Sequence, residues 1–435
     1  MNGHFSPGVY MPIRLYSALC FVLLLASAGL ESTLLGPTAY GQEWARFRGA
    51  NGTGVSSADS IPTSWTEKDL NWKTKLPGSG HSSPIQYGDL IFVLSGNPED
   101  GSKYVVAVNA TDGKIAWKKE FKAKLYRFHR LNSYNSSTPA ADAQHVYVSW
   151  SDKTSTTLLA LTHAGEKVWE KELGSWVGQH GFAASPIVYK DKVIISNSQQ
   201  KAQLGPGEKP GQSVVYAFQA KTGKLAWKSE RVTQRVSYSV PCVFKNADGQ
   251  DELVCCNTAE GVYSIDPENG KLNWSYDKAF DKRTVASPII SDGLIFGSCG
   301  SGGGGNFVVA IQPGKAPEMK YKVDRNANYV PTPVAFDGLL FLVSDKGVAT
   351  CVEAKSGKAI WRERLAGEYW ASPVCVDGRI YAINDDGEVT VFAAARVFKK
   401  LGQSSLGEKC HSTPAISHGK MILRTVSHLM SVGGP

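Results

Sequence analysis

The sequence predicts an all-β fold built from eight repeated units, and three observations carry that expectation. The first is a motif. AVNATDGKIAWK at residues 107–118 returns as AFQAKTGKLAWK from Ala217, SIDPENGKLNWS from Ser264 and CVEAKSGKAIWR from Cys351, with a shortened copy, ALTHAGEKVWEK, from Ala160. The second is a small or hydroxyl residue followed by proline and a short apolar stretch, at Pro84, Pro139, Pro186, Pro241, Pro288, Pro333, Pro373 and Pro414. The third is composition: 435 residues hold 44 glycines and 11 tryptophans, with few helix-forming runs, a balance that favours strands.

Each motif reads as strand, turn, strand. Its first position is small. Its seventh is Gly113, Gly223, Gly270 or Gly357, each after Asp, Thr, Asn or Ser, which is the chemistry of a tight turn with positive φ. Its eleventh is Trp117, Trp227, Trp274 or Trp361, and the short copy supplies Trp169. The small first residue leaves room for an indole to lie against a neighbouring unit. Tyr321 and Phe398 stand where degenerate copies belong.

The prolines are 55, 47, 55, 47, 45, 40 and 41 residues apart, the size of a four-stranded propeller blade. The expected architecture is an eight-bladed β-propeller of four-stranded antiparallel blades. The last unit runs out at HLMSVGGP without room for its outer strand, whereas DLNWKTKLPG, with Trp72, precedes the first unit. The N-terminal strand is therefore expected to close the ring, which removes the exposed edges of an open sheet.

Residues 1–41 read as a signal peptide and 42–435 as the propeller. Arg14 precedes the apolar run LYSALCFVLLLASAGL, and cleavage fits after Ala28 or after Gly41. Gly41 is preferred because recognisable folded sequence starts at Glu43. Cys20 follows the bulky Leu19, which argues against lipid attachment. No second apolar run follows, so the expectation is a periplasmic or secreted monomer without an integral membrane segment. The net charge of +8 comes from lysines scattered over the repeat ends, and nucleic acid is not an expected partner. Seven cysteines remain after the signal, mostly in strand-like apolar contexts, where buried small hydrophobes are the plain reading. Only the adjacent pair Cys255–Cys256 invites another.

The pattern A-x-D-x-x-T-G-K-x-x-W resembles the tryptophan-docking motif of PQQ-like (pyrroloquinoline quinone) β-propeller repeats. The resemblance spans residues 43–435, and EWARFRGANGTG looks like the start of secreted bacterial members. The family includes the eight-bladed quinoprotein alcohol dehydrogenases and the outer-membrane assembly factor BamB. It thus implies either of two functions. One is a non-enzymatic binding or scaffold propeller similar in kind to BamB, with a protein or small polar ligand as partner. The other is a dehydrogenase that sandwiches PQQ in the central funnel over calcium, with an aspartate base and a disulfide of adjacent cysteines as cover. Cys255–Cys256 supplies only the last part, and DELVCCNTAEGVYSID reads as strand, turn, strand. The binding reading, without catalytic residue, cofactor or metal, is preferred.

If a ligand binds, it meets the segments that lead into the innermost strands. These carry His81, Tyr134, Asn135, His180, Arg235, Tyr238, Arg283, Asn328, Tyr329, Tyr369, Trp370 and His411. Strand starts are often polar, so solvation of a channel is the plain reading. Against it, Trp370 and the tyrosines are costly beside water, and arginine forks match carboxylates. A mixed aromatic and basic funnel for a peptide carboxylate or small polar molecule is expected. The histidines are far apart in sequence and predict no metal site. SCGSGGGGN at 298–306 lacks the Gly-Lys-Ser/Thr of a phosphate loop and reads as a hairpin loop.

Overall fold

The computed structural model describes Met1 and residues 43–434. The expected signal segment, Cys20 and the expected cleavage points lie outside the described residues. The rest is all-β: seven sheets of four strands and an eighth to which a short fifth strand is added. The first blade runs Ile85–Tyr87, Leu90–Gly96, Lys103–Asn109 and Ile115–Phe121. Six more follow in the same antiparallel order up to Lys400–Ser405.

The eighth blade has only three strands from its own stretch of chain, Ala415–Ser417, Lys420–Arg424 and His428–Gly433. Its outer strand is Leu70–Lys75, antiparallel to His428–Gly433 with Trp72 opposite Ser431. The ring is closed by its N-terminal strand, as the count of units requires.

The core lies between blades. Apolar side chains gather in seven clusters, and each joins neighbouring blades. Second strands therefore bury both faces: every residue of His145–Ser151 is buried. Outer strands expose most of their residues; Trp169, Trp227 and Trp274 are buried there, and Trp117 and Trp361 half-buried.

The small residue at motif position one explains itself in the register. Ala107 pairs with Trp117, Ala160 with Trp169, Ala217 with Trp227, Ser264 with Trp274 and Cys351 with Trp361, and the register shifts at each of these pairs. The indole then reaches the next blade. Trp117 Nε1–H donates to His163 O (2.7 Å), Trp169 to Ala220 O (2.7 Å), Trp227 to Pro267 O (3.0 Å) and Trp361 to Ala395 O (2.9 Å). Trp274 departs from the series and donates to Glu252 Oε2 of its own blade at 2.6 Å.

Tyr321 is the degenerate copy expected. It pairs with Ala310, and a Cβ on Gly357 would lie 2.4 Å from its ring. Phe398 is not. Gly402 stands opposite Val391 in the seventh blade, where the indole would be, and an added Cβ there would lie 2.0 Å from Thr63 O. Chain from the N-terminal side fills the space. Phe398 instead packs edge-on against Trp361, 5.2 Å between centroids.

The residue before each proline forms a belt around the innermost strands. Thr138 N–H donates to Ser185 Oγ, Val240 to Ser287, Ser287 to Thr332, Thr332 to Ser372, Ser372 to Thr413 and Thr413 to Ser83, at 2.8–3.1 Å. Val240 donates but has no hydroxyl to accept with. The following proline has no N–H to satisfy.

Residues 44–66 form a strap across the innermost strands. Trp44 bridges to Gln86, Ala45 O accepts Ala141 N–H at 2.8 Å, and Arg46 Nη2 donates to Pro241 O at 2.6 Å. Arg48, 1% exposed, donates to Pro333 O (2.7 Å) and Pro373 O (2.6 Å) from two further blades. Val55–Ser56 then runs parallel to Val374–Val376. Gly54 sits where a Cβ would be 2.4 Å from Arg48 Nη2, so the glycine of NGTG is set by the arginine it wraps.

Candidate functional site: a strap-floored central funnel

With the strap across it, the channel becomes a cavity of about 690 Å³, with Phe47 of the strap in its lining. Ser83, Thr138, Ser185, Ser287, Thr332, Ser372 and Thr413 of the belt also line it. The site is thus carried on rigid strand ends, with loops at its mouth.

Eight of the twelve expected residues line this cavity: His81, His180, Arg235, Tyr238, Arg283, Tyr329, Trp370 and His411. Four do not. Tyr134 packs edge-on against Tyr126 and Phe128, and its carbonyl accepts Lys103 Nζ at 2.8 Å. Asn135 Nδ2 bonds Ser95 O while its carbonyl takes the N–H of His81 (3.2 Å). Asn328 Nδ2 bonds Ser298 Oγ at 3.0 Å and Pro331 O at 2.6 Å. Tyr369 is buried in the core between the sixth and seventh blades. The reason is alternation: successive residues of extended chain point opposite ways, so Tyr329 and Trp370 line the cavity while Asn328 and Tyr369 do not.

One wall is basic. Arg283 is 3% exposed and comes from the approach to the fifth blade. Its Nη1 donates to His180 Nε2 at 3.0 Å and its Nη2 to Gln179 Oε1 at 3.3 Å. Guanidinium is always the donor, so His180 carries its proton on Nδ1, a buried atom without a partner. Burial first, then the charges of Arg283, His129 and Arg235, lower the His180 pKa to about 4. His129 stacks on His180 at 4.8 Å and 19°.

The other wall holds Trp370, His81, His411 and Asp345. The rings of His81 and His411 are 4.3 Å apart, and His411 Nε2 is hydrogen-bonded to Asp385. Burial, then the neighbouring His411 and Arg424, hold the His81 pKa well below the ordinary range. Asp345 is 6% exposed and accepts Tyr329 N–H and Val330 N–H, each at 2.9 Å. Burial outweighs those bonds and raises its pKa to about 6. Trp370 Nε1, Tyr238 Oη, His81 Nδ1 and His411 Nδ1 are all buried without partners.

Sequence reasoning missed His129, Asn132, Asp345 and the Gly302–Gly304 stretch, all of which line the cavity. His129 and Asn132 had a signal. The 55-residue gap from Pro84 to Pro139 is among the two longest, and the excess chain folds over the funnel. Asp345 sits in an ordinary-looking hairpin turn and had none. Gly302–Gly304 belong to the hairpin loop expected there, between Leu294–Cys299 and Phe307–Gln312.

A family model described as outer membrane protein assembly factor BamB (PQQ_2) matches residues 63–123, 101–320 and 317–425. The chain belongs to this PQQ-like, BamB-type propeller family. Curated BamB proteins of Moranella endobia (strain PCIT) and Yersinia pestis are 22% identical over 217 residues and 23% identical over 167 residues. These matches cover 46% and 35% of this chain and 50% and 39% of the relatives, so the chain spans about half the length of the first and less of the second. Among solved structures, BamB from Moraxella catarrhalis superposes with a TM-score of 0.61 at 11% identity, over 84% of this chain and 99% of that one. Quinohemoprotein alcohol dehydrogenase from Comamonas testosteroni gives 0.62 at 14%, over 90% of this chain and 80% of that one. At such identities both likenesses speak for the propeller alone.

BamB-type membership leaves the cysteine pair to be placed. Cys255 and Cys256 lie in the second strand of the fourth blade, Asp251–Asn257. Cys255 faces the core with Trp227, Cys256 the core with Trp274 on the opposite side. Both are free and buried, away from the funnel.

Proposed function

We propose that this chain is an exported, non-enzymatic binding module of the BamB type, with a protein or small polar ligand at its central funnel. The observation that carries the reading is a cavity of about 690 Å³ floored by the chain's own strap and lined by buried polar groups without partners. Unmet donors at an apolar concave site are what a ligand satisfies. The names of the relatives, which speak of outer-membrane assembly, favour a protein partner in the cell envelope. No helix among the described residues is long and apolar enough to cross a membrane.

The residues present do not fit PQQ with calcium. Calcium takes six to eight oxygen ligands, several of them carboxylates. Among the described residues, Asp345 is the one acidic residue that lines the cavity, and Tyr329 and Val330 already occupy its oxygens. The cysteine pair belongs to two blade interfaces and offers no cover.

The test is dye-linked alcohol oxidation by the purified protein with PQQ and calcium added. No turnover above the protein-free control is expected. Turnover that requires both additions overturns the binding reading in favour of the dehydrogenase.

A further inference from the structure

Five arginines lie at the inner ring, and they fall into two kinds: Arg46, which donates to Pro241 O, belongs with Arg48 and Arg424. Arg48 donates to Gly52 O, Thr53 O, Pro333 O and Pro373 O, and Arg424 to Ser82 O, Leu94 O and Ser95 Oγ. Those guanidiniums have their charge spread over backbone carbonyls. Arg283 and Arg235 do not. The described arginine ion pairs are Arg231–Glu260, Arg379–Asp377 and Arg396–Glu353, and neither funnel arginine is among them. Arg283 has two neutral side-chain partners and Arg235 none from its guanidinium among the described residues. Both line the same cavity, and burial first, then the charge of Arg283, lowers the Arg235 pKa.

A cation buried among neutral groups beside a second cation is unfavourable unless an anion joins it. The protein's own candidate is turned away, since Asp345 points its oxygens at backbone N–H groups of Tyr329 and Val330. The lining of the same cavity offers apolar surface in Phe47, Val240, Val285 and Val330, beside the polar Tyr238, Ser287 and Asn306.

The geometry points to an organic carboxylate on an apolar or aromatic body as the ligand of this funnel, its anion held by Arg283 and Arg235 and its body against Phe47 and the valines. This rests on the funnel being a ligand site. A guanidinium fork suits a planar carboxylate, and Asp345 on the same cavity disfavours a dianion. His180 serves as a positioning residue, because the acceptor Nε2 that the Arg283 bond requires is the neutral form.

Three probes share one aromatic body: phenylacetate, phenylacetamide and phenyl phosphate, each titrated against the exported protein in a thermal-shift assay at pH 7.5. Phenylacetate is expected to raise Tm dose-dependently and phenylacetamide to leave it unchanged. Arg283→Gln should weaken the phenylacetate effect about tenfold or more. Arg235→Gln, at a more exposed position, should weaken it too and covers the case that the first variant folds poorly. Equal shifts from phenylacetamide and phenylacetate overturn the anion assignment and leave the funnel as a binding site. A shift from phenyl phosphate alone overturns the carboxylate. An undiminished phenylacetate shift in both variants places the anion elsewhere and overturns the assignment. No shift from any probe overturns it together with the small-ligand reading of the funnel.

Discussion

Trp72 lies on Gly113. A Cβ on that glycine would fall 2.5 Å from the indole, and Trp72 Nε1–H donates to Ala110 O at 3.1 Å. The contact joins the strand that closes the eighth blade to the turn of the first, so one side-chain pair holds both sides of the seam. Trp72→Ala should lower stability by about 3–5 kcal/mol. Gly113→Ala, with φ of +72°, should cost about 2 kcal/mol or more, since strain adds to the clash. Gly302→Ala, which meets open space, should stay within about 0.5 kcal/mol. Equilibrium urea unfolding ranks the three; an innocuous Gly113→Ala would refute the packing.

Arg48→Ala should destabilise by about 3 kcal/mol or more, because it strands the carbonyls of Pro333 and Pro373 on two blades. Arg48→Lys should not recover the loss. One ammonium lacks the planar fork that serves both carbonyls. Urea unfolding of the two variants decides, and near-wild-type stability of the lysine form would refute the bridging role.

Two funnel groups oppose each other in their pH dependence. Asp345 is raised from 3.8 to about 6, so the fold is favoured below pH 3.8 and that favour is lost as pH rises through 6. His180 is lowered from 6.5 to about 4, so its contribution is present above pH 6.5 and lost as pH falls through 4. Against wild type, Asp345→Asn should gain stability between pH 4 and 6, by roughly 2–3 kcal/mol. His180→Gln should gain in the reverse direction, from pH 6.5 down to 4. Stability profiles of the three proteins check the signs.

The seven described cysteines are all buried and free. Burial pushes Cys242, Cys299, Cys351, Cys375 and Cys410 up to about 12. Folded protein should resist iodoacetamide at pH 8, and urea should release all seven without reductant. Five rather than seven labelled thiols would restore a Cys255–Cys256 disulfide.

The ring was readable because its joints are chemical. Trp117 needs Ala107 across the strand and a turn on the next blade, so all three recur together in sequence. Phe398 misled because aromatic character alone does not report register: Gly402 holds the paired position and the strap fills the space. The funnel was readable by place, since the residues before each proline meet at the channel. Tyr369 and Trp370 show the limit, because a one-residue step decides between core and cavity. Asp345 was out of reach because its environment comes from Tyr329, Val330 and Asn306, assembled only in the fold.

The seam also governs the order of events during folding. Asn71 and Ser431 are hydrogen-bonded partners 360 positions apart. A chain emerging from its N-terminus can form seven blades while Leu70–Lys75 waits unpaired for His428–Gly433. Until that strand arrives, the sheet has two open edges that invite pairing with other chains, and the loop to be closed is nearly the whole propeller. The slow, aggregation-exposed step therefore comes last, and it ends when the final strand slots between its neighbours.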